Sequence, residues 1–118
     1  MKRPDPRALL HDLVQACRLL EQFLAGKTLE DYKVDALTRS AVERQGEILG
    51  EVIAQLLQTS PTIAERITDA RRIVAFRNRL IHGYATVSDE VVWGVMEVHV
   101  PVLQREAVAL LAELNPEV

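Results

Sequence analysis

The chain has 118 residues, room for one domain with a substantial core and no more. Apolar residues make up 48% of it, while glycine and proline number only five each, which excludes a disordered chain. A formal net charge of −3 and the lack of any apolar run near ~20 residues speak against a general polyanion binder and against a membrane-spanning protein. Aromatic residues are 4% of the total, so the core has to be aliphatic, and the abundant Leu, Ala, Glu and Arg favour helix. Cys17 is the single cysteine, which leaves no intramolecular disulfide and no cysteine metal cluster; a buried reduced thiol in a reducing cytoplasm is expected. The apolar stretch after Met1-Lys2-Arg3-Pro4-Asp5 is interrupted by His11 and Asp12, so no targeting segment is expected either.

The first predicted helix begins with Asp5 as cap and Pro6 at the first helical position. Leu9, Leu10, Leu13, Cys17, Leu20 and Leu24 recur at helical spacing, and Gly26 ends the run. Thr28 and Asp31 form a capping-box pattern, after which one long helix is expected from Leu29 or Val34 to Leu57. Its apolar stripe comprises Val34, Leu37, Ala41, Ile48, Leu49, Val52, Leu56 and Leu57. Gly46, Gly50 and Ala54 form a ridge of small residues at intervals of four, as a close helix–helix approach would require. Glu43, Glu47 and Glu51 line the same helix, as a solvated face or as partners for arginines.

Ser60-Pro61 predicts a new start and a short helix through about Ile67. Asp69 is placed to cap the next helix, whose buried side is Ile73, Val74, Phe76, Leu80 and Ile81. Ser88 or Asp89 starts the last helical pattern, which runs to Leu114 with a kink or break near Val98–Val100 caused by Pro101. His99 stands at that point with no partner apparent, and Asn115-Pro116 ends the order. No period-two strand pattern occurs. The expectation is an all-α, antiparallel up-and-down bundle of four to five helices forming one domain over residues 1–118.

Reactive side chains crowd only in Phe76-Arg77-Asn78-Arg79-Leu80-Ile81-His82-Gly83-Tyr84, at the end of the fourth predicted helix. Asn78 and His82, four apart, share a helical face; Arg77, five before His82, lies off that face, so it reaches His82 through its flexible stem or meets the His82 of a second copy. Gly83 stands where a left-handed C-terminal cap is common. Arg66, Arg71, Arg72, Arg77 and Arg79 place a basic patch on an acidic body, with Glu65 and Asp69 as the nearest acids. Histidine exchanges protons near neutral pH, and the arginine fork suits phosphate oxygens. Cleavage of RNA by its own 2′-hydroxyl needs those two capabilities, proton movement and stabilisation of extra negative charge. One histidine is few for both acid and base, which points to a symmetric dimer that gathers two Arg77 and two His82. No histidine, cysteine or carboxylate set has metal-ligand spacing, and no cofactor is expected.

Arg77, four residues, His82, one residue and Tyr84 resemble the RX4HXY signature of HEPN-domain proteins, specifically the HepT-like toxins. Ile48-Leu49-Gly50-Glu51 and Val91-Val92-Trp93 resemble weaker landmarks of that family. The resemblance implies a helical, metal-independent endoribonuclease toxin with its site at a homodimer interface. It implies His82 as acid/base, Arg77 as phosphate clamp and Asn78 as support, with RNA as substrate. It further implies a minimal nucleotidyltransferase as antitoxin, which would transfer AMP to the Tyr84 hydroxyl. Arg79, Arg72 and Arg71 are candidates for guiding RNA electrostatically. Two other readings are a non-catalytic, substrate-binding helical subunit of a nucleotidyltransferase, and a purely structural helical dimer.

Overall fold

The computed structural model describes residues 4–115, the side chain of Tyr84 excepted. Helix α1 is Pro6–Leu24, α2 Leu29–Lys33, α3 Ala36–Thr59, α4 Pro61–Ala64 and α5 Ala70–His82. A 3-10 turn, Tyr84–Thr86, leads to α6, Asp89–Gly94; a π-helical segment, Val95–His99, joins it to α7, Val100–Leu114. No strand occurs among the described residues. Helix α1 packs against α3 and α7, α3 also against α5, and α2 against α3 and α6. The all-α bundle is therefore present, built from α1, α3, α5 and the α6–α7 stretch.

The helix starts follow local chemistry. Asp5 accepts the Arg7 N–H at 2.9 Å, and Pro6 opens α1. The only positive φ among the described residues, +73°, is at Gly26, just beyond α1, where a side chain would be strained. The capping box is formed: the Thr28 hydroxyl accepts from the Asp31 N–H at 3.2 Å, and Asp31 accepts from the Thr28 N–H at 3.0 Å.

Of the two starts expected for the long second helix, the structure takes one near Val34: α3 begins at Ala36, and Leu29–Lys33 is a separate short helix. Asp35 accepts both the N–H of Thr38, at 3.1 Å, and its hydroxyl, at 2.6 Å. That side-chain cap starts α3 afresh and ends α2 at Lys33. Val34 and Leu37, expected in the apolar stripe, are consequently 84% and 81% exposed. The short helix after Ser60 is one turn, Pro61–Ala64, without a side-chain cap from Ser60.

The kink or break expected near Val98–Val100 takes the form of the π segment Val95–His99, after which α7 begins at Val100. Proline has no N–H to return to the preceding turn. The π segment ends one residue before it, and the wider turn carries the helical path unbroken from Asp89 to Leu114. A π turn advances the side chains that follow by roughly 100° relative to an uninterrupted α-helix. Val98, within it, is exposed.

The core is aliphatic as expected: Leu10, Leu13 and Leu20 of α1 meet Leu49, Ile53 and Leu56 of α3, Ile73 of α5 and Leu103 of α7 in one buried cluster. Cys17 lies in it, fully buried; desolvation, helped by the charge of Glu21, pushes its thiol up to about 12, so it stays protonated and unreactive. Tyr32 is fully buried and stacks obliquely on Trp93, with ring centroids 5.9 Å apart, which fastens α2 to α6.

The small-residue ridge sets the position of α5. A Cβ on Gly50 would stand 2.1 Å from the Cβ and 2.6 Å from the Cγ of Arg77. At Gly46 it would stand 3.1 Å from both the Phe76 ring and a Leu80 methyl. Only hydrogen at Gly50 lets the motif helix lie this close to α3, and Gly46 adds a tight contact with the Phe76 and Leu80 side chains.

Candidate active site

Helix α5 holds Ile73, Phe76 and Leu80 in the core and leaves its polar residues outside. Asp69 stands at the N-cap position but makes no side-chain cap. Its carboxylate instead meets His99 Nδ1 at 2.9 Å and lies 3.9 Å from Arg72 Nε. Both the predicted cap and the partnerless His99 are thereby corrected: a contact across 30 residues of sequence outcompetes the local one. Ile81, expected on the buried side, is 41% exposed.

Arg77 faces α3. Its stem lies over Gly50, and its side chain is only 26% exposed. One guanidinium nitrogen donates to Glu51 Oε2 at 2.8 Å, the other to Asn78 Oδ1 at 2.8 Å. The buried Nε donor has no acceptor among the described residues. The guanidinium is thus oriented by two contacts on its tip while one donor remains unsatisfied, an expensive arrangement unless another group completes it. Around it is a depression of about 280 Å³, lined by Arg44, Glu47, Ile48, Glu51, Arg77 and Ile81.

His82 does not line that depression. Five residues at ~100° each leave it about 140° around α5 from Arg77. His82 is exposed in the last turn and has no hydrogen bond or ion pair among the described residues. One face of α5 carries Arg71, Ala75, Asn78 and His82, all exposed, with Arg72 and Arg79 beside it. The structure therefore joins Arg77, Asn78 and Glu51, and sets Asn78 and His82 on a common face, but it does not bring Arg77 to His82 within one chain.

Gly83 is not left-handed. Its φ is −135°, and its N–H donates to the Arg79 carbonyl at 2.8 Å. The end of the helix is closed instead by Thr86, whose N–H and hydroxyl donate to the Gly83 carbonyl at 2.9 and 2.8 Å. Tyr84 opens that 3-10 turn; the predicted role of its hydroxyl lies outside the described part of the structure.

The basic patch is divided. Arg66 forms a fork with both carboxylate oxygens of Glu113, at 2.8 and 2.6 Å, and Arg72 Nη1 is 3.1 Å from His99 Nε2. Arg71 and Arg79 make no hydrogen bond or ion pair through their side chains among the described residues. Of the acidic stripe, Glu51 binds Arg77 and Glu47 lies 3.4 Å from Arg44. Asp69 and His99 were not reached from the sequence as site residues; thirty positions and a π turn separate them, and no motif links them. Among the described residues no three His, Cys, Asp or Glu side chains converge as a metal site would need.

The family model described as Ribonuclease HepT-like matches residues 13–110. The chain is similar to the probable ribonuclease HepT of Thermococcus cleftensis, 31% identical over 104 residues that cover 88% of this chain and 93% of that one. It is similar to a candidate RNase of Caldanaerobacter subterraneus subsp. tengcongensis, 26% identical over 106 residues, or 90% of this chain and 94% of that one. A candidate RNase of Methanocaldococcus jannaschii is 24% identical over 117 residues, 99% of this chain and 96% of that one. No solved structure gives a significant match.

Proposed function

The chain belongs to the ribonuclease HepT-like family, and from that premise we propose that it is an endoribonuclease that cuts RNA as a homodimer, without a metal ion. The observation that carries this is Arg77: a side chain only 26% exposed, whose guanidinium is oriented by Glu51 and Asn78 at the edge of a depression on the motif helix.

In this mechanism Arg77 grips the oxygens of the scissile phosphate and balances the charge that builds as the 2′-hydroxyl attacks. Asn78 holds the guanidinium in place. His82 takes the proton from the 2′-hydroxyl or returns one to the departing 5′-oxygen. Two exposed His82 side chains, brought together by a two-fold axis, supply both functions. The same axis resolves the separation of Arg77 and His82 on α5, since each meets its counterpart from the other copy. Arg71, Arg72 and Arg79 attract the strand along α5.

Incubation of the purified protein with RNA in EDTA is expected to give fragments with 2′,3′-cyclic phosphate and 5′-hydroxyl ends. Cleavage that requires added Mg²⁺, or none at all, would contradict the proposal. A chain of this activity harms its host, and we place it in a toxin–antitoxin pair with a nucleotidyltransferase that transfers AMP to Tyr84. Tyr84 is two residues from His82, so an anionic adduct there would repel RNA phosphates from the site. Co-expressed nucleotidyltransferase should protect cells from the wild type but not from Tyr84→Phe; equal protection of both would rule out this modification. If the protein instead binds the nucleotidyltransferase tightly and never cuts RNA, it is that enzyme's substrate-binding subunit.

A further inference from the structure

Asp69, His99 and Arg72 form a closed loop of contacts, of which the cleavage mechanism uses only Arg72, as one of three arginines that attract the strand. The Asp69 carboxylate is 2.9 Å from His99 Nδ1, His99 Nε2 is 3.1 Å from Arg72 Nη1, and Arg72 Nε is 3.9 Å from the other Asp69 oxygen. Arginine only donates hydrogen bonds, so Nε2 of this imidazole is the acceptor. Its proton is therefore on Nδ1, directed at Asp69. Both supporting groups are sheltered, with side-chain exposures of 20% for His99 and 15% for Asp69. Arg72 is 63% exposed, so its guanidinium is held through Nη1 while much of the side chain remains open to solvent.

Beside the loop is a depression of about 380 Å³ with an apolar floor of Leu57 and Ile67 and a rim that includes Thr68, Arg71, Arg72 and Glu65. Arg72 also shares a line on α5 with Arg79, seven residues on and about 10 Å along the axis. His82 is about 15 Å from Arg72 on the same helix, too far for both to touch one phosphate.

We propose that Asp69 and His99 hold Arg72 as a preformed phosphate-binding subsite for the RNA strand, remote from the bond that is cut. The proposal rests on the ribonuclease reading of α5. Asp69 and His99 are positioning residues and Arg72 is the contact. An arginine already held through one nitrogen loses less freedom when a phosphate docks on its remaining donors. The π segment has a part in this, because His99 is its last residue and Asp69 stands at the head of the motif helix.

The test is RNA affinity, measured by fluorescence anisotropy with a short labelled single-stranded RNA of mixed sequence. The His82→Ala protein serves as parent, so the probe stays uncut. In that parent, His99→Ala is expected to weaken binding by roughly two- to tenfold. His99→Gln, which keeps an acceptor near Nε2, should recover most of the loss. In an Arg72→Ala background, His99→Ala should change nothing further, because it acts through Arg72. Full affinity in His99→Ala, or an undiminished loss in the Arg72→Ala background, overturns the proposal. Should His99→Ala fail to fold, Arg72→Lys decides: it keeps the charge but not the fork, and affinity equal to the parent overturns the subsite. A parent that binds no RNA overturns the ribonuclease reading itself, a distinct result from a parent that binds while His99 proves irrelevant.

Discussion

His82→Ala is expected to lower the rate of RNA cleavage by about 10²- to 10⁴-fold, the usual contribution of a positioned acid or base. Stability should barely change. His82 is exposed and makes no hydrogen bond or ion pair among the described residues, and substitutions at such surface positions stay within roughly 0.5 kcal/mol. The combination is diagnostic, because a residue that only closes a helix end would show the reverse. The measurement is initial cleavage rate beside a thermal melt of the same preparation. Retention of more than about a tenth of the wild-type rate would remove His82 from the chemistry. Arg77→Ala should be similarly inactive but not so neutral for the fold. It leaves Glu51 with only the Gln55 amide as donor, at 3.3 Å, and strips the stem that covers Gly50.

Gly50→Ala is expected to carry the largest cost in stability. Alanine normally gains up to about 1 kcal/mol over glycine inside a helix. Here its methyl would lie 2.1 Å from the Arg77 Cβ and 3.3 Å from the Ile73 carbonyl oxygen. Neither atom is the free end of a side chain, so relief requires α5 to move away from α3. Overpacking of this kind costs about 1–3 kcal/mol, occasionally more. A fall in Tm of roughly 5–10 °C is expected for a chain of this size. The displaced helix carries Arg77 with it, so cleavage should fall as well. Gly94→Ala is the control: nothing lies within 4 Å of its added Cβ, and that substitution should stabilise by up to about 1 kcal/mol. Equal Tm changes at the two glycines would refute the close contact.

The bundle was legible because helix periods, proline positions and caps are local properties. Asp5-Pro6, Thr28-Asp31 and Ser88 mark helix starts that the structure keeps. The Gly46–Gly50–Ala54 ridge predicted a close approach, and two of its members, Gly46 and Gly50, receive α5. Errors arose where one local signal outweighed another. The apolar spacing of Val34 and Leu37 suggested a continuous stripe, but the Asp35 side chain captures Thr38 and restarts the helix. Pro101 suggested a kink or break near Val98–Val100, and the irregularity there is a π turn, a form the proline alone does not specify. Asp69 looked like a cap from its position alone, yet His99 claims its carboxylate. At the site, Arg77 and Asn78 were identified by motif and are joined in the structure. That Glu51 was Arg77's acceptor could be suspected from the acidic stripe but not fixed, because it depends on how closely α5 lies on α3.

Complementation of two inactive proteins tests the shared dimer site most directly. Arg77→Ala and His82→Ala, each purified alone, should cut RNA at background rates. Unfolded and refolded together, or co-expressed with different tags and isolated as the mixed dimer, they form one site from the Arg77 of one copy and the His82 of the other. A rate above both parents but well below half of the wild type is the predicted result, since one Arg77–His82 pairing across the copies survives while the second His82, needed for the other proton transfer, is missing. A mixed dimer as inactive as its parents would show that both residues must come from the same chain, and the two-copy site would be wrong.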